Sequence, residues 1–234
     1  MSERKLVLFD CDGTLIDSQH MIVAAMNHAF AKSGLVPLPR ARVLSIVGLS
    51  LHQAVTTLMP DAAPALVEAV SAGYRDAFYE LRSRRDLSEP LFEGIMPLLE
   101  ALAARGDILM GVATGKTQKG LKNVLQNHDM ARFFVTLQTA DDAPSKPHPG
   151  MIHNALAETG VAARDTVMIG DTTYDVEMAL AAGAHAIGVT WGYHPRSELV
   201  RVGAHHVLHD RAGLLPTLKG IWGEAVEDRL EESA

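Results

Sequence analysis

Leu6-Val7-Leu8-Phe9-Asp10-Cys11-Asp12-Gly13-Thr14 runs from four apolar residues straight into two acids and a Gly-Thr pair. A short apolar run that meets a turn signal reads as a buried strand of a parallel sheet. The acids then arrive at the strand's C-terminal end, the edge where open α/β sheets bind their ligands. Side chains alternate along a strand, so Asp10 and Asp12 can share one space while Cys11 points away. Gly13 lets the chain turn sharply. Two carboxylates in one crevice repel, and the pair persists when a cation lies between them or one holds a proton.

Downstream of this strand the pattern becomes helical. Asp17 or Ser18 is placed to cap a helix in which Ile22, Met26 and Phe30 recur, with Gly34 as its stop. Shorter helical patterns follow at 41–47 and 51–59, interrupted by Gly48-Leu49-Ser50, and a long one spans 64–85. A crossover between parallel strands needs only about a dozen residues. The whole stretch 17–89 therefore reads as an inserted helical subdomain, a cap, on a core made of 1–16 and 90–234. From Glu93 strands and helices alternate. Pro97 is expected to open a helix. Strands are expected at 108–113, 133–137, 166–169, 186–189 and 206–208, with a terminal helix after them. This alternation specifies an α/β fold with a doubly wound parallel sheet.

Composition narrows the function. The chain has 234 residues, 47% of them hydrophobic, enough for a substantial core. A formal charge of −7 argues against nucleic acid as a partner, since phosphate backbones select basic surfaces. No stretch approaches the roughly 20 apolar residues of a membrane span, so no membrane partner is expected. The charged start, Met1-Ser2-Glu3-Arg4-Lys5, precedes an apolar run too short for a signal peptide. Cys11 is the one cysteine, which precludes an intrachain disulfide and suits a reducing, cytoplasmic compartment.

Several strand ends carry matching chemistry. Asp10 and Asp12 end the first strand, Thr114-Gly115 ends the second, and Gly170-Asp171-Thr172-Thr173-Tyr174-Asp175 follows a later one. Lys146 lies in a loop stiffened by Pro144, Pro147 and Pro149. In a parallel sheet these ends share an edge and can converge. Asp10, Asp12 and Asp171 offer hard oxygen ligands, which favour Mg²⁺. Thr114 and nearby backbone N–H groups suit a phosphate oxygen, and Lys146 adds positive charge. Such a set could pass a phosphoryl group to an aspartate and on to water. A cysteine phosphatase would want an arginine six positions after Cys11, and that position is Asp17.

Asp10-Cys11-Asp12-Gly13-Thr14 resembles the first motif of the haloacid dehalogenase superfamily. Thr114, Lys146 and the Gly170–Asp175 segment resemble its other three, in order, and the helical insertion is similar to that family's C1-type cap. The resemblance implies Asp10 as nucleophile and Asp12 as general acid/base. It implies Mg²⁺ held by the Asp10 carboxylate, the Asp12 backbone carbonyl and Asp171, with Asp175 orienting metal waters. Thr114, Gly115 and Lys146 would hold the phosphate. Asp12 favours a phosphatase over a dehalogenase, which needs no second acid. The cap loop Gly48-Leu49-Ser50-Leu51-His52 lacks the basic residues of the sugar phosphomutases. The likeness is therefore nearest the phosphoglycolate phosphatases, with a small phosphate ester as substrate and Gly48, Leu49, Ser50 and His52 as expected specificity residues. A phosphomutase or a pyrophosphatase of the same build remains an alternative. Response-regulator receivers also place acids, a Thr and a Lys at strand ends, but their first acids are adjacent and they lack a helical insertion.

Overall fold

In the computed structural model, which describes residues 4–81, 84 and 87–223, the opening strand β1 (Lys5–Phe9) lies at the middle of the sheet. Leu6 and Leu8 enter one apolar cluster and Val7, Phe9 and Cys11 another. A strand buried on both faces shows a continuous apolar run rather than alternation. β1 pairs in parallel with β2 (Ile108–Ala113) on one side and β4 (Thr166–Gly170) on the other. With β3 (Thr136–Gln138), β5 (His185–Val189) and β6 (His206–Leu208), the order is β3-β2-β1-β4-β5-β6, parallel throughout. Strand order reverses beside β1, so a crevice opens there at the C-terminal edge.

Helices α1 (Gln19–Lys32), α2 (Arg40–Leu44), α3 (Leu51–Leu58) and α4 (Pro64–Leu81) bury an apolar cluster of their own, centred on Met26, Phe30, Val43, Val55 and Val70. α1 and α4 come together at small residues: a Cβ on Gly73 would lie 3.5 Å from Ala29 Cα. The helices join the sheet through two adjacent segments. Ile16 bridges Leu91 antiparallel, Asp17 N–H donates to Pro90 O, and Phe92 N–H donates to Leu15 O. Around the sheet run α5 (Ile95–Ala103), α6 (Gln118–Asn127), α7 (Gly150–Thr159), α8 (Thr173–Ala181), α9 (Arg196–Arg201) and α10 (Leu214–Ile221).

Two local expectations shift. The helix expected from Pro97 begins at Ile95, because Gly94 (φ 80°) makes the entry turn. Pro97 then falls in the first turn, where its missing N–H is not needed. The strand expected at 133–137 is Thr136–Gln138. A short 3-10 turn occupies Ala131–Phe133, and the Phe134 ring packs edge-on to Phe9 at 6.3 Å instead of entering the sheet. The long helix expected to Arg85 is described as far as Leu81. Positions 82–83 and 85–86 lie outside the described residues.

Candidate active site

The crevice at the end of β1 brings Asp10, Lys146, Asp171 and Asp175 together, all essentially fully buried. Lys146 Nζ lies 2.6 Å from Asp175 Oδ1 and 2.9 Å from Asp10 Oδ1. The contact with Asp10 is one of charge, and among the described residues neither Asp10 oxygen accepts a well-directed hydrogen bond. Burial pushes the Asp10 carboxyl up to about 7; Lys146 opposes the shift, while Asp175 and Asp12 add to it. Burial would lower the Lys146 ammonium, but Asp10 and Asp175 outweigh it and push the pKa up.

Asp171 is set between two glycine backbones. A Cβ on Gly13 or on Gly192 would lie 2.3 Å from its carboxylate, so both positions must be glycine for the chain to approach. Its oxygens accept from Thr14 Oγ1 (2.9 Å) and Tyr193 N (2.8 Å). Burial, with Asp10 and Asp175 nearby, pushes its carboxyl well up. Thr14 is held in turn by the Trp191 indole, which donates to its carbonyl at 3.1 Å. Asp175 closes a capping box on α8: its Oδ2 accepts from Thr172 N–H and Thr172 Oγ1, leaving Oδ1 for Lys146. One atom from each of Asp10, Asp171 and Asp175 lies within 4.8 Å of the others. Three buried carboxyl groups face one ammonium here; their crowding favours protonated Asp10 and Asp171, and a divalent cation would let them ionise together.

Asp12 occupies the other side of the crevice. Its Oδ1 accepts from Ser18 Oγ (2.5 Å) and pairs with Lys116 Nζ (3.0 Å). No partner of Oδ2 is seen among the described residues. Lys116 also reaches Glu89 Oε1 at 3.2 Å and lies 5.5 Å from the Phe78 ring of α4. Tyr193 OH touches Ser18 Oγ at 3.3 Å. The first-strand motif thus splits, with Asp10 facing Lys146 and Asp12 facing Lys116. Ser18, Lys116, Glu89 and Tyr193 are not named as site residues by the sequence reading. Ser18 reads there as a helix cap, yet it makes no side-chain cap bond to α1. For Lys116 a signal was present: a lysine two places after Thr114, at a strand end where acids converge.

Thr114 is buried next to this ensemble, and its Oγ1 accepts from Lys116 N–H at 3.3 Å. The expected cap loop is seated on it. A Cβ on Gly115 would lie 2.4 Å from Leu49 O and 2.6 Å from Gly48 O. Gly48 (φ 97°) makes the turn, Ser50 N–H donates to Ser145 Oγ (2.8 Å), and Tyr174 OH donates to Ser45 O (3.0 Å). His52 stands apart, exposed on α3. Gln53 and Thr57 instead line a cavity of ≈ 570 Å³ beside Leu49, Ser145 and Tyr174. Gly115→Ala is expected to lift the cap loop off the site. Measured kcat/KM should then fall by about 100-fold, by a similar factor for every ester tried, since displacement near 1 Å has that cost.

A crevice lined by acids and lysines at the switch point of a doubly wound parallel sheet is suited to a phosphate-bearing ligand and a hard cation. The family model for haloacid dehalogenase-like hydrolases matches residues 7–189, and the chain belongs to that family. It is 34% identical over 220 residues to a phosphoglycolate phosphatase of Rhodospirillum rubrum, covering 90% of this chain and 89% of that one. It is 29% identical over 210 residues to the pyrophosphatase PpaX of Bacillus pumilus, covering 89% and 94%. Among solved structures, a predicted phosphatase from Clostridium acetobutylicum superposes with a TM-score of 0.83 at 26% identity, over 94% of this chain and all (100%) of that one. The enzyme is a phosphatase. Among the described residues no helix is long and apolar enough to cross a membrane.

Proposed function

We propose that the chain hydrolyses small phosphate monoesters with Mg²⁺, by way of a phosphoryl group carried on Asp10. The observation that supports this most is Asp10 itself. It ends the central strand, is fully buried, and has two oxygens without a hydrogen bond among the described residues, beside an ammonium and two more carboxyl groups. The donor set fits a hard divalent cation, because every candidate ligand is oxygen. Asp10, Asp171 and the Asp12 backbone carbonyl would hold it. When bound, it supplies charge against the phosphate oxygens and against the carboxylates around them.

Asp10 attacks phosphorus in line; the Asp10 Oδ–P bond forms as the P–O ester bond breaks. Thr114 Oγ1–H, Gly115 N–H and Lys146 hold the phosphoryl oxygens. Asp12 Oδ2 delivers its proton to the departing alkoxide. It then takes a proton from the water that attacks the phosphoenzyme, and inorganic phosphate leaves with Asp10 restored. The helices of 17–89 act as a cap domain over the core of 1–16 and 90–234, excluding water while the ester is bound. Gly48, Leu49 and Ser50 then lie over the organic half of the ester.

The substrate is a short ester whose leaving half carries a second negative group. Phosphoglycolate, with its carboxylate, meets this description; pyrophosphate, an anhydride whose leaving half is a second phosphate, is the second reading, and the similar proteins named above support each. Phosphoglycolate is the first choice. With p-nitrophenyl phosphate as a generic probe, excess chelator is expected to lower kcat by about 1,000-fold or more. Mg²⁺ should restore the rate and Ca²⁺ should not, because calcium's looser, larger shell misplaces the in-line attack. Full turnover in chelator would end the metal reading.

A further inference from the structure

We propose that Lys116 selects for esters whose leaving group is itself anionic, by pairing with that group's carboxylate or phosphate. This rests on the reading of the site as a phosphatase in which Asp12 serves the leaving oxygen. Two lysines are ion-paired to the acids of the crevice, and they divide the work. Lys146 is sealed at 0% side-chain exposure between Asp10 and Asp175, on the phosphoryl side. Lys116 pairs with Asp12, on the leaving-group side, and keeps 11% of its side chain exposed. Its two partners, Asp12 and Glu89, are likewise reachable, at 11% and 18%. A ligand entering between Asp12 and the cap therefore meets the Lys116 ammonium.

The surroundings support binding rather than simple charge balance. Burial would lower the Lys116 pKa, but Asp12 and Glu89 outweigh it and keep the side chain charged. Phe78 of α4 covers one face at 5.5 Å, and burial pushes the nearby Tyr74 hydroxyl up, with Lys116 opposing the shift and Asp12 and Glu89 adding to it. Low-dielectric walls strengthen a charge-assisted contact to an incoming anion. Asp12 keeps Ser18 Oγ on Oδ1, so Lys116 can turn to a ligand without freeing the acid. Glu89 stands where a ligand's anion would pair with Lys116, and it belongs to the segment joining helices to sheet.

The test is the ratio of kcat/KM for phosphoglycolate to that for ethyl phosphate, in which an uncharged methyl group replaces the carboxylate. The wild type is expected to favour phosphoglycolate by about 100-fold, and Lys116→Met to bring the ratio to within about threefold of unity. An unchanged ratio in Lys116→Met, both rates falling together, would mean that Lys116 acts only by holding Asp12, and it would overturn the inference. So would a wild type without preference. If Lys116→Met does not fold, Glu89→Gln decides. With a competitor for the ammonium gone, the preference for phosphoglycolate must rise by about threefold or more. If no ester is turned over at all, the phosphatase reading has failed on its own. The inference is then judged by calorimetry of phosphoglycolate on Asp10→Asn, where adding Lys116→Met must weaken binding about tenfold to sustain it.

Discussion

Asp10→Asn is expected to give a folded protein with kcat lowered by about 10⁴-fold or more on every phosphate ester. The amide is nearly the same size as the carboxyl, so the buried site keeps its packing. It is no nucleophile towards phosphorus, and no phosphoenzyme should form. The same substitution should alter stability in the opposite sense. The Asp10 carboxyl titrates near 7 in the folded chain, against 3.8 for an ordinary aspartate. Between those values the folded chain holds a proton that the unfolded chain has lost. Stability therefore falls as pH rises from 3.8 to 7, and the loss is complete above 7. In chelator at pH 8, Asp10→Asn should melt higher than the wild type, and the gap should close towards pH 4. Lys146 keeps Asp175 at 2.6 Å and is not stranded by the change. Activity within tenfold of wild type would remove Asp10 from the nucleophile's place. A lower melting temperature at pH 8 would show that the carboxylate is not held against its solvation preference.

The opposition between activity and stability at Asp10 explains which parts of the molecule are legible in sequence. Strands buried on both faces announce themselves, since nothing but continuous apolar residues satisfies them. β1, β2 and β4 are therefore plain in the chain, and so are the acids that end them. Asp10, Thr114, Lys146 and Asp171 can be placed because parallel strands share an edge and their ends must converge. β3 is misplaced by a few residues because Phe133 and Phe134 look like strand residues but serve as packing beside Phe9. Ser18 is misread because a serine before a helix is usually a cap, whereas here Asp12 takes its hydroxyl. Glu89 and Lys116 are hidden for another reason. Each looks like a solvated surface charge, and only the chain's return beside Ile16 carries Glu89 to the crevice. His52 is the converse case: the sequence reading places it over the substrate, and the structure places it exposed on α3. It is the one titratable side chain of its loop, but helix geometry turns it outward and presents Gln53 and Thr57 to the cavity.

Lys146→Met tests the electrostatic account most severely, because the side chain is as buried as any core leucine. Methionine fills a similar volume, so packing loss is small and the charge is what disappears. Asp10, Asp171 and Asp175 are then left within 4.8 Å of one another without a cation. Removing one partner of a buried ion pair costs about 3–5 kcal/mol. For a chain of this size each kcal/mol moves the melting temperature by about 2–4 °C, so a fall of about 10 °C is expected in chelator. Mg²⁺ should return much of that loss, since a ligand that binds only the folded state stabilises it. It should not return activity. A cation among the carboxylates meets the charge deficit but cannot stand where Lys146 spans Asp10, Asp175 and the incoming phosphate. Melting curves with and without Mg²⁺, read beside p-nitrophenyl phosphate turnover, separate the two. If Lys146→Met melts with the wild type in chelator, the ion pairs of Lys146 with Asp10 and Asp175 do not support the fold. If activity returns with Mg²⁺, Lys146 is a structural counter-ion alone and has no part in holding the phosphate.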